Sequence, residues 1–203
     1  MELREYFDLH DLDFVSLPFL GEMRRDFEER LEKKHSVIPL EQRRQGFFFY
    51  QALVLYARTC GVETRDKILY CLTLLYLYVD AAMDIEGVSK EELYLQFREP
   101  TTIYWLRVHH YMRKCQGVVS GLDFYPLLQA QIVSSSFRDG ESGWNVAYNK
   151  GYETGVIVDQ LLSVLPSSGI SEGGHIAGLI QIVDDLVDIP EDLAAHIVTP
   201  ATL

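Results

Sequence analysis

Apolar residues recur at every third or fourth position through most of this 203-residue sequence, which is the spacing of one face of an α-helix. In the segment Leu17–Lys34, for example, the apolar positions are Leu20, Met23, Phe27 and Leu31, with charged residues between them. Strand signals are nearly absent, because the chain has no Asn-Gly turn and no sustained alternation of apolar and polar residues. The sequence therefore predicts an all-α fold.

Proline, glycine and serine divide the periodic segments into helices joined by short connections. Eight helices are predicted, at Leu17–Lys34, Leu40–Cys60, Thr64–Ile85, Lys90–Phe97, Thr102–Gln116, Phe124–Phe137, Trp144–Leu165 and His175–Asp188. The third is so apolar in its middle that we expect it to be buried. A length of 203 residues suits a single domain, here taken as 1–203, that folds as a helical bundle.

The charge balance restricts the classes of partner. The chain has 18 basic and 30 acidic residues, for a net charge of −12, which argues against a broad nucleic-acid surface and against electrostatic attachment to an anionic membrane. The most apolar stretch, Ile68–Val79, is shorter than the roughly 20 residues that span a bilayer. With three widely spaced cysteines and no signal-peptide pattern, the sequence predicts a cytoplasmic protein without an integral membrane segment.

Two clusters of carboxylates interrupt helices that are otherwise apolar. The first contains Asp80 and Asp84, at the end of the third predicted helix. The second lies on the last predicted helix and contains Gln181, Asp184, Asp185 and Asp188. Residues four positions apart share a helix face, so two carboxylates at that spacing repel each other unless a cation or a basic side chain lies beside them.

Magnesium is a cation that suits such clusters. It keeps several water ligands and takes others from one or two carboxylates and from substrate phosphates, so two acid-rich helix faces across a cavity would bind a diphosphate and assist its departure. Aromatic side chains on the second and third predicted helices are candidates to line an apolar cavity and to stabilise carbocation charge. These are Phe47, Phe48, Phe49, Tyr50, Tyr76 and Tyr78.

Interpretations that need no ligand stay open for each feature. Asp80 and Asp84 also suit a solvated helix end or a salt bridge to a basic side chain. Asp188, followed by Pro190, also suits the N-cap of a further helix. The aromatic side chains also suit an ordinary hydrophobic core.

The segment Gln181-Ile-Val-Asp184-Asp185-Leu-Val-Asp188 resembles the second aspartate-rich motif of the trans-isoprenyl diphosphate synthases, a family of class I isoprenoid synthases. Upstream, Tyr152-Glu153-Thr154-Gly155 is similar to the Lys-Thr-Gly segment of that family. Order and spacing agree from about residue 40 to residue 192. The resemblance implies an isoprenoid-synthase-like bundle with a central cavity, in which residues 1–38 form divergent N-terminal helices and the C-terminus is short.

The same resemblance assigns roles to residues of the first half. Asp80-Ala-Ala-Met-Asp84 stands where the first aspartate-rich motif of the family would be, and Arg43-Arg44 resembles the basic pair that binds the homoallylic diphosphate. It implies Mg²⁺ bound by Asp80, Asp84, Asp184 and Asp188, with Asp185 also in the catalytic set. Arg43, Arg44, Thr154 and Gln181 are the implied substrate-binding residues.

The activity implied is that of a prenyltransferase, which ionises an allylic diphosphate and condenses it with isopentenyl diphosphate. The first motif lacks the doubled aspartate and the following Arg pair of the family, and Glu153 replaces the lysine expected before Thr154. These departures leave two alternatives: a terpene-synthase-like cyclase that acts on one allylic diphosphate, or a non-catalytic subunit of the same fold. The family implies a homodimer, and the last alternative implies a heteromer with a related subunit.

Overall fold

The computed structural model describes residues 18–62, 66–86, 90–135, 143–164 and 170–195. The described residues form eight helices and no strand, which confirms the all-α prediction. The helices are α1 Pro18–Lys34, α2 Leu40–Thr59, α3 Asp66–Glu86, α4 Lys90–Arg98, α5 Ile103–Gln116, α6 Tyr125–Ser135, α7 Gly143–Leu162 and α8 Glu172–Ala195. The isoprenoid-synthase-like arrangement and the central cavity stay predictions.

The chain divides into two compact units. The N-terminal unit is the described part of Leu9–Ser120 and contains α1 to α5. The C-terminal unit is the described part of Gly121–Leu203 and contains α6 to α8. The division into compact units does not test whether residues 1–203 form a single domain, which stays a prediction.

Helix α3 is the buried centre of the N-terminal unit, as its apolar sequence predicts, and it packs against α2 and α5. Phe47, Tyr50 and Tyr78 are all buried in this core, which favours the core interpretation for these three of the six aromatic candidates. The ring of Phe27 stacks on that of Tyr50 at 5.1 Å. Phe48, in contrast, is exposed.

A buried polar pair joins the end of α1 to this core. His35 Nδ1 and the Tyr78 hydroxyl are 2.9 Å apart, and the ring of Tyr111 on α5 stacks against Tyr78. Burial, reinforced by nearby positive charges of which Arg107 is the largest, lowers the pKa of His35 to about 4. The imidazole is therefore neutral at pH 7 and forms its hydrogen bond in that state.

In the C-terminal unit, α7 and α8 are antiparallel and unusually close. A Cβ atom on Gly151 would overlap the backbone of Ala177 and Gly178, and one on Gly155 would overlap the carbonyl oxygen of Gly173. Glycine at these two α7 positions is what lets the helix backbones approach. The contact fixes the register in which α7 faces α8.

Helix α8 is longer at both ends than its predicted range. The predicted start at residue 175 was three residues late, because a buried side chain of α7 caps the helix: Asp159 Oδ2 accepts hydrogen bonds from Ser171 Oγ at 2.7 Å and from the Gly173 amide at 3.0 Å. The predicted end at Asp188 was also wrong, since α8 continues through Pro190. Pro190 is exposed, so the carbonyl that loses its partner to proline can bond to water.

Candidate functional site

The second acidic cluster lies on α8, with Gln181 at its centre. Gln181 Nε2 donates a hydrogen bond to Asp185 Oδ1 at 2.9 Å, which follows from the spacing of four that places both side chains on one helix face. Asp184 is exposed, whereas Gln181 and Asp185 are half-buried. Three of the residues expected at the second motif therefore form one local group of oxygen-bearing side chains. Asp188 lies within α8, which excludes it as the N-cap of a separate helix, but its side chain is outside the described residues.

Asp184 carries a negative charge that the protein only partly balances. Although its side chain is exposed, surrounding protein atoms remove enough water from the carboxyl to raise its pKa. The positive charge of Lys150 opposes that rise, and the neighbouring charge of Asp185 adds to it. A cation bound beside Asp184 and Asp185 would relieve both the repulsion and the lost hydration.

Basic residues are scarce in this half of the sequence. Residues 121–203 contain eleven acidic residues and two basic ones, Arg138 and Lys150, for a net charge of −9. Arg138 lies outside the described residues, so Lys150 is the one Lys or Arg that the structure places in the C-terminal unit. Most of the acid excess of the chain is therefore concentrated in the segment that carries the Asp184 cluster.

The Thr154 hydroxyl faces its own helix and lies away from the aspartates. Thr154 is buried and donates a hydrogen bond to the Lys150 carbonyl at 3.0 Å. Because Gly155 packs against Gly173, Thr154 lies beside the first turn of α8. Asp184 follows about ten residues later, which is roughly 15 Å along the helix axis. The α7–α8 register thus brings Gln181, Asp184 and Asp185 together and leaves Thr154 apart.

Glu153, at the position where the family resemblance would place a lysine, has lost hydration through burial, which raises the pKa of its carboxyl. Nothing about this position supplies positive charge. Within the described part of the C-terminal unit, the one Lys or Arg side chain is Lys150, which lies one helical turn earlier on α7.

The candidates of the first half lie in the N-terminal unit. Arg43 is half-buried on α2, and its Nε atom is buried without a hydrogen-bond partner among the described residues. Asp80 is half-buried on α3. The side chains of Arg44 and Asp84 are outside the described residues.

The donor set on α8 fits a hard divalent cation, because carboxylate and amide oxygens are the ligands that Mg²⁺ prefers and it needs few of them from protein. Desolvation raises the pKa of Asp184 and Lys150 only partly offsets that effect, so a bound cation would stabilise this carboxylate. Over the described ranges, no group of three or more His, Cys, Asp or Glu side chains is placed to hold a metal ion. A complete coordination shell would therefore include water and ligand oxygens.

Two residues that shape this unit were not identified from the sequence. Asp159, which caps α8, sits in an apolar run of α7, and an isolated acid in such a run signals a buried partner. Lys150 could have been found by counting charges in each half of the chain, since the total of −12 hides its isolation.

Comparisons of the chain with family models, with curated proteins and with solved structures found no match. Among the described residues, no helix combines the length and the apolar character needed to cross a membrane.

Proposed function

We propose that this protein is a Mg²⁺-dependent prenyltransferase of the isoprenoid synthase type, which ionises an allylic diphosphate and condenses it with isopentenyl diphosphate. The observation that carries the proposal is the group formed by Gln181, Asp184 and Asp185 on α8. Its order of residues resembles the aspartate-rich motif, and the desolvated carboxylate of Asp184, whose raised pKa Lys150 only partly offsets, suits a cation that in turn binds diphosphate. A cytoplasmic homodimer belongs to the same proposal.

In this proposal, Asp184 and Asp188 hold Mg²⁺ on α8, and Asp185 belongs to the catalytic set. Asp80 and Asp84 are metal ligands by resemblance. When bound, the cation neutralises charge on the departing diphosphate. The Gln181 amide orients the Asp185 carboxylate through its hydrogen bond.

Each unit has a basic side chain that is a candidate for binding diphosphate oxygens. Lys150, whose charge already acts on Asp184, supplies an ammonium in the C-terminal unit. Arg43 offers a buried N–H donor without a partner among the described residues, and an anionic oxygen would satisfy it. Arg44 and Thr154 belong to the substrate-binding set by resemblance.

The test is product formation from dimethylallyl or farnesyl diphosphate with isopentenyl diphosphate and Mg²⁺. We expect turnover by the native chain and a loss of at least a hundredfold in the double variant Asp184→Asn, Asp185→Asn. Glu172→Gln is the matched control, because Glu172 is an exposed acid in the first turn of the same helix. Equal turnover in the double variant and in the control would contradict the proposal.

A cyclase that acts on one allylic diphosphate is the second candidate. The specific observation in its favour is that the described C-terminal unit offers one Lys or Arg, Lys150, and that Glu153 stands where a second cation would be expected. Incubation with a single allylic diphosphate, followed by analysis of volatile products, separates cyclisation from condensation. If Mg²⁺ with a bisphosphonate gives no thermal stabilisation, the non-catalytic subunit is favoured over both.

A further inference from the structure

Helix α5 in the N-terminal unit has one buried face and one exposed face of distinctive composition. Trp105, Val108, Tyr111 and Cys115 are buried against the unit. The exposed face carries two large aliphatic side chains near its start and four basic or titratable side chains after them. These are Ile103, Leu106, Arg107, His110, Arg113 and Lys114, and we call them the α5 outer face.

The cations of the α5 outer face have no ion pair with a carboxylate among the described residues. Arg113 Nε donates a hydrogen bond to the His109 carbonyl at 3.3 Å, and Lys114 Nζ lies 5.2 Å from the centre of the Tyr111 ring. Neither contact neutralises charge. Desolvation, followed by the positive charges of Lys114, Arg107 and Arg113, lowers the pKa of His110, and no acid opposes this shift.

Helix α1 provides the contrast within the same unit. Three of its five basic side chains are exposed and paired with a carboxylate one turn away. Arg24 pairs with Glu28 at 2.8 Å, Lys33 with Glu29 at 3.3 Å, and Arg30 with Asp26. Three of the five cations of α1 are therefore paired, whereas Arg107, Arg113 and Lys114 on α5 have no ion pair among the described residues.

The shape and chemistry of the α5 outer face indicate an extended partner. Small ligands bind in concave sites, whereas these side chains project from the exposed side of a helix. Ile103 and Leu106 are 54% and 51% exposed, so an apolar partner that covers them would gain burial free energy. A nucleic acid would satisfy the cations but not these aliphatic side chains, while the headgroup and acyl boundary of a bilayer satisfies both.

We propose that the α5 outer face is a peripheral docking surface for a membrane that contains anionic phospholipids. Arg107, Arg113 and Lys114 contact lipid phosphates, and Ile103 and Leu106 insert at the acyl boundary. The net charge of −12 does not oppose this locally, because surface charges are screened beyond about 8 Å at physiological salt. Residues 1–120, to which α5 belongs, carry a net charge of −3.

Vesicle flotation tests the proposal with the full chain. The vesicles are pure phosphatidylcholine or phosphatidylcholine with 30 mol% phosphatidylglycerol, a composition of about one anionic lipid in three. The charge variant is Arg107→Gln, Arg113→Gln, Lys114→Gln. The control is Arg24→Gln, Arg30→Gln, Lys33→Gln, which removes the same number of cations from α1.

We expect the native chain to float with the anionic vesicles, to float less as salt rises, and not to float with pure phosphatidylcholine. The α5 charge variant should bind roughly a hundredfold more weakly, because each basic residue near an anionic bilayer contributes about fivefold in affinity. The α1 control should bind like the native chain.

Three results would overturn the proposal. The first is no flotation of the native chain at low salt, and the second is an equal loss in the α5 variant and the α1 control. The third is retention of binding in Ile103→Ser, Leu106→Ser together with α5-dependent binding of single-stranded DNA, which would reassign the surface to nucleic acid. All of these substitutions are at exposed positions, so circular dichroism should show native helix content throughout.

Discussion

The contact between Gly155 and the backbone of Gly173 leaves no room for a Cβ atom, and this makes Gly155→Ala an informative perturbation. In an exposed helix the substitution stabilises by about 1 kcal/mol through helix propensity. Here the added methyl group meets a carbonyl oxygen of α8, so the helices must separate. Overpacking of this kind costs about 3 kcal/mol when backbone has to move, and the net loss is about 2 kcal/mol. For a chain of this length we expect the Tm to fall by about 4 to 8 °C.

Thermal and urea unfolding followed by circular dichroism measure this loss, and hydrogen exchange should locate it in α7 and α8. Gly46→Ala is the matched control, because the atoms nearest to its added Cβ belong to the Leu77 side chain and not to backbone. We expect a smaller loss there. A Gly155→Ala variant as stable as the native chain, or more so, would refute the inference that close backbone contact sets the α7–α8 register.

Three further predictions follow from buried and charged groups. Between pH 6.5 and 4 the unfolded chain binds a proton at His35 that the folded chain does not bind. The free energy of unfolding should therefore fall by about 3 kcal/mol as the pH drops through that range. Urea denaturation of His35→Gln should show a flatter dependence of this free energy on pH. Asp159→Ala should lower the free energy of unfolding in urea by about 3 kcal/mol, because it leaves the donors at the start of α8 unpaired. Asp159→Asn should lower it less. Equal losses in the two variants would contradict the capping role. In NMR titrations of the side-chain carboxyl groups, Lys150→Met should raise the pKa of Asp184 further, and Asp185→Asn should lower it. Shifts of the same sign in the two variants would contradict this electrostatic explanation.

Local periodicity predicted most of the helices, because each helix of this chain carries its own apolar face. The buried helix α3 was identified from its composition, and its core position confirms the reasoning. The ends of α8 were not predictable in the same way. Its start depends on Asp159, which comes from another helix, and its continuation through Pro190 depends on the exposure of that turn.

The candidate site was partly predictable for the same reason. Gln181 and Asp185 lie four positions apart, so their contact is local and follows from helix geometry. The relation of Thr154 to Asp184 is set instead by glycine contacts between two helices, and sequence spacing alone does not report it. Unpaired charge on α5 likewise depends on which carboxylates lie nearby in three dimensions.

The most direct test of the proposed function is a calorimetric titration of the full chain with a non-hydrolysable allylic diphosphate analogue, with and without Mg²⁺. We expect saturable binding that requires Mg²⁺, that weakens at least tenfold in the double variant Asp184→Asn, Asp185→Asn, and that is unchanged in Glu172→Gln. Binding of equal strength without Mg²⁺ or in the double variant, or no binding by the native chain, would contradict the proposal that α8 carries a diphosphate-binding magnesium site.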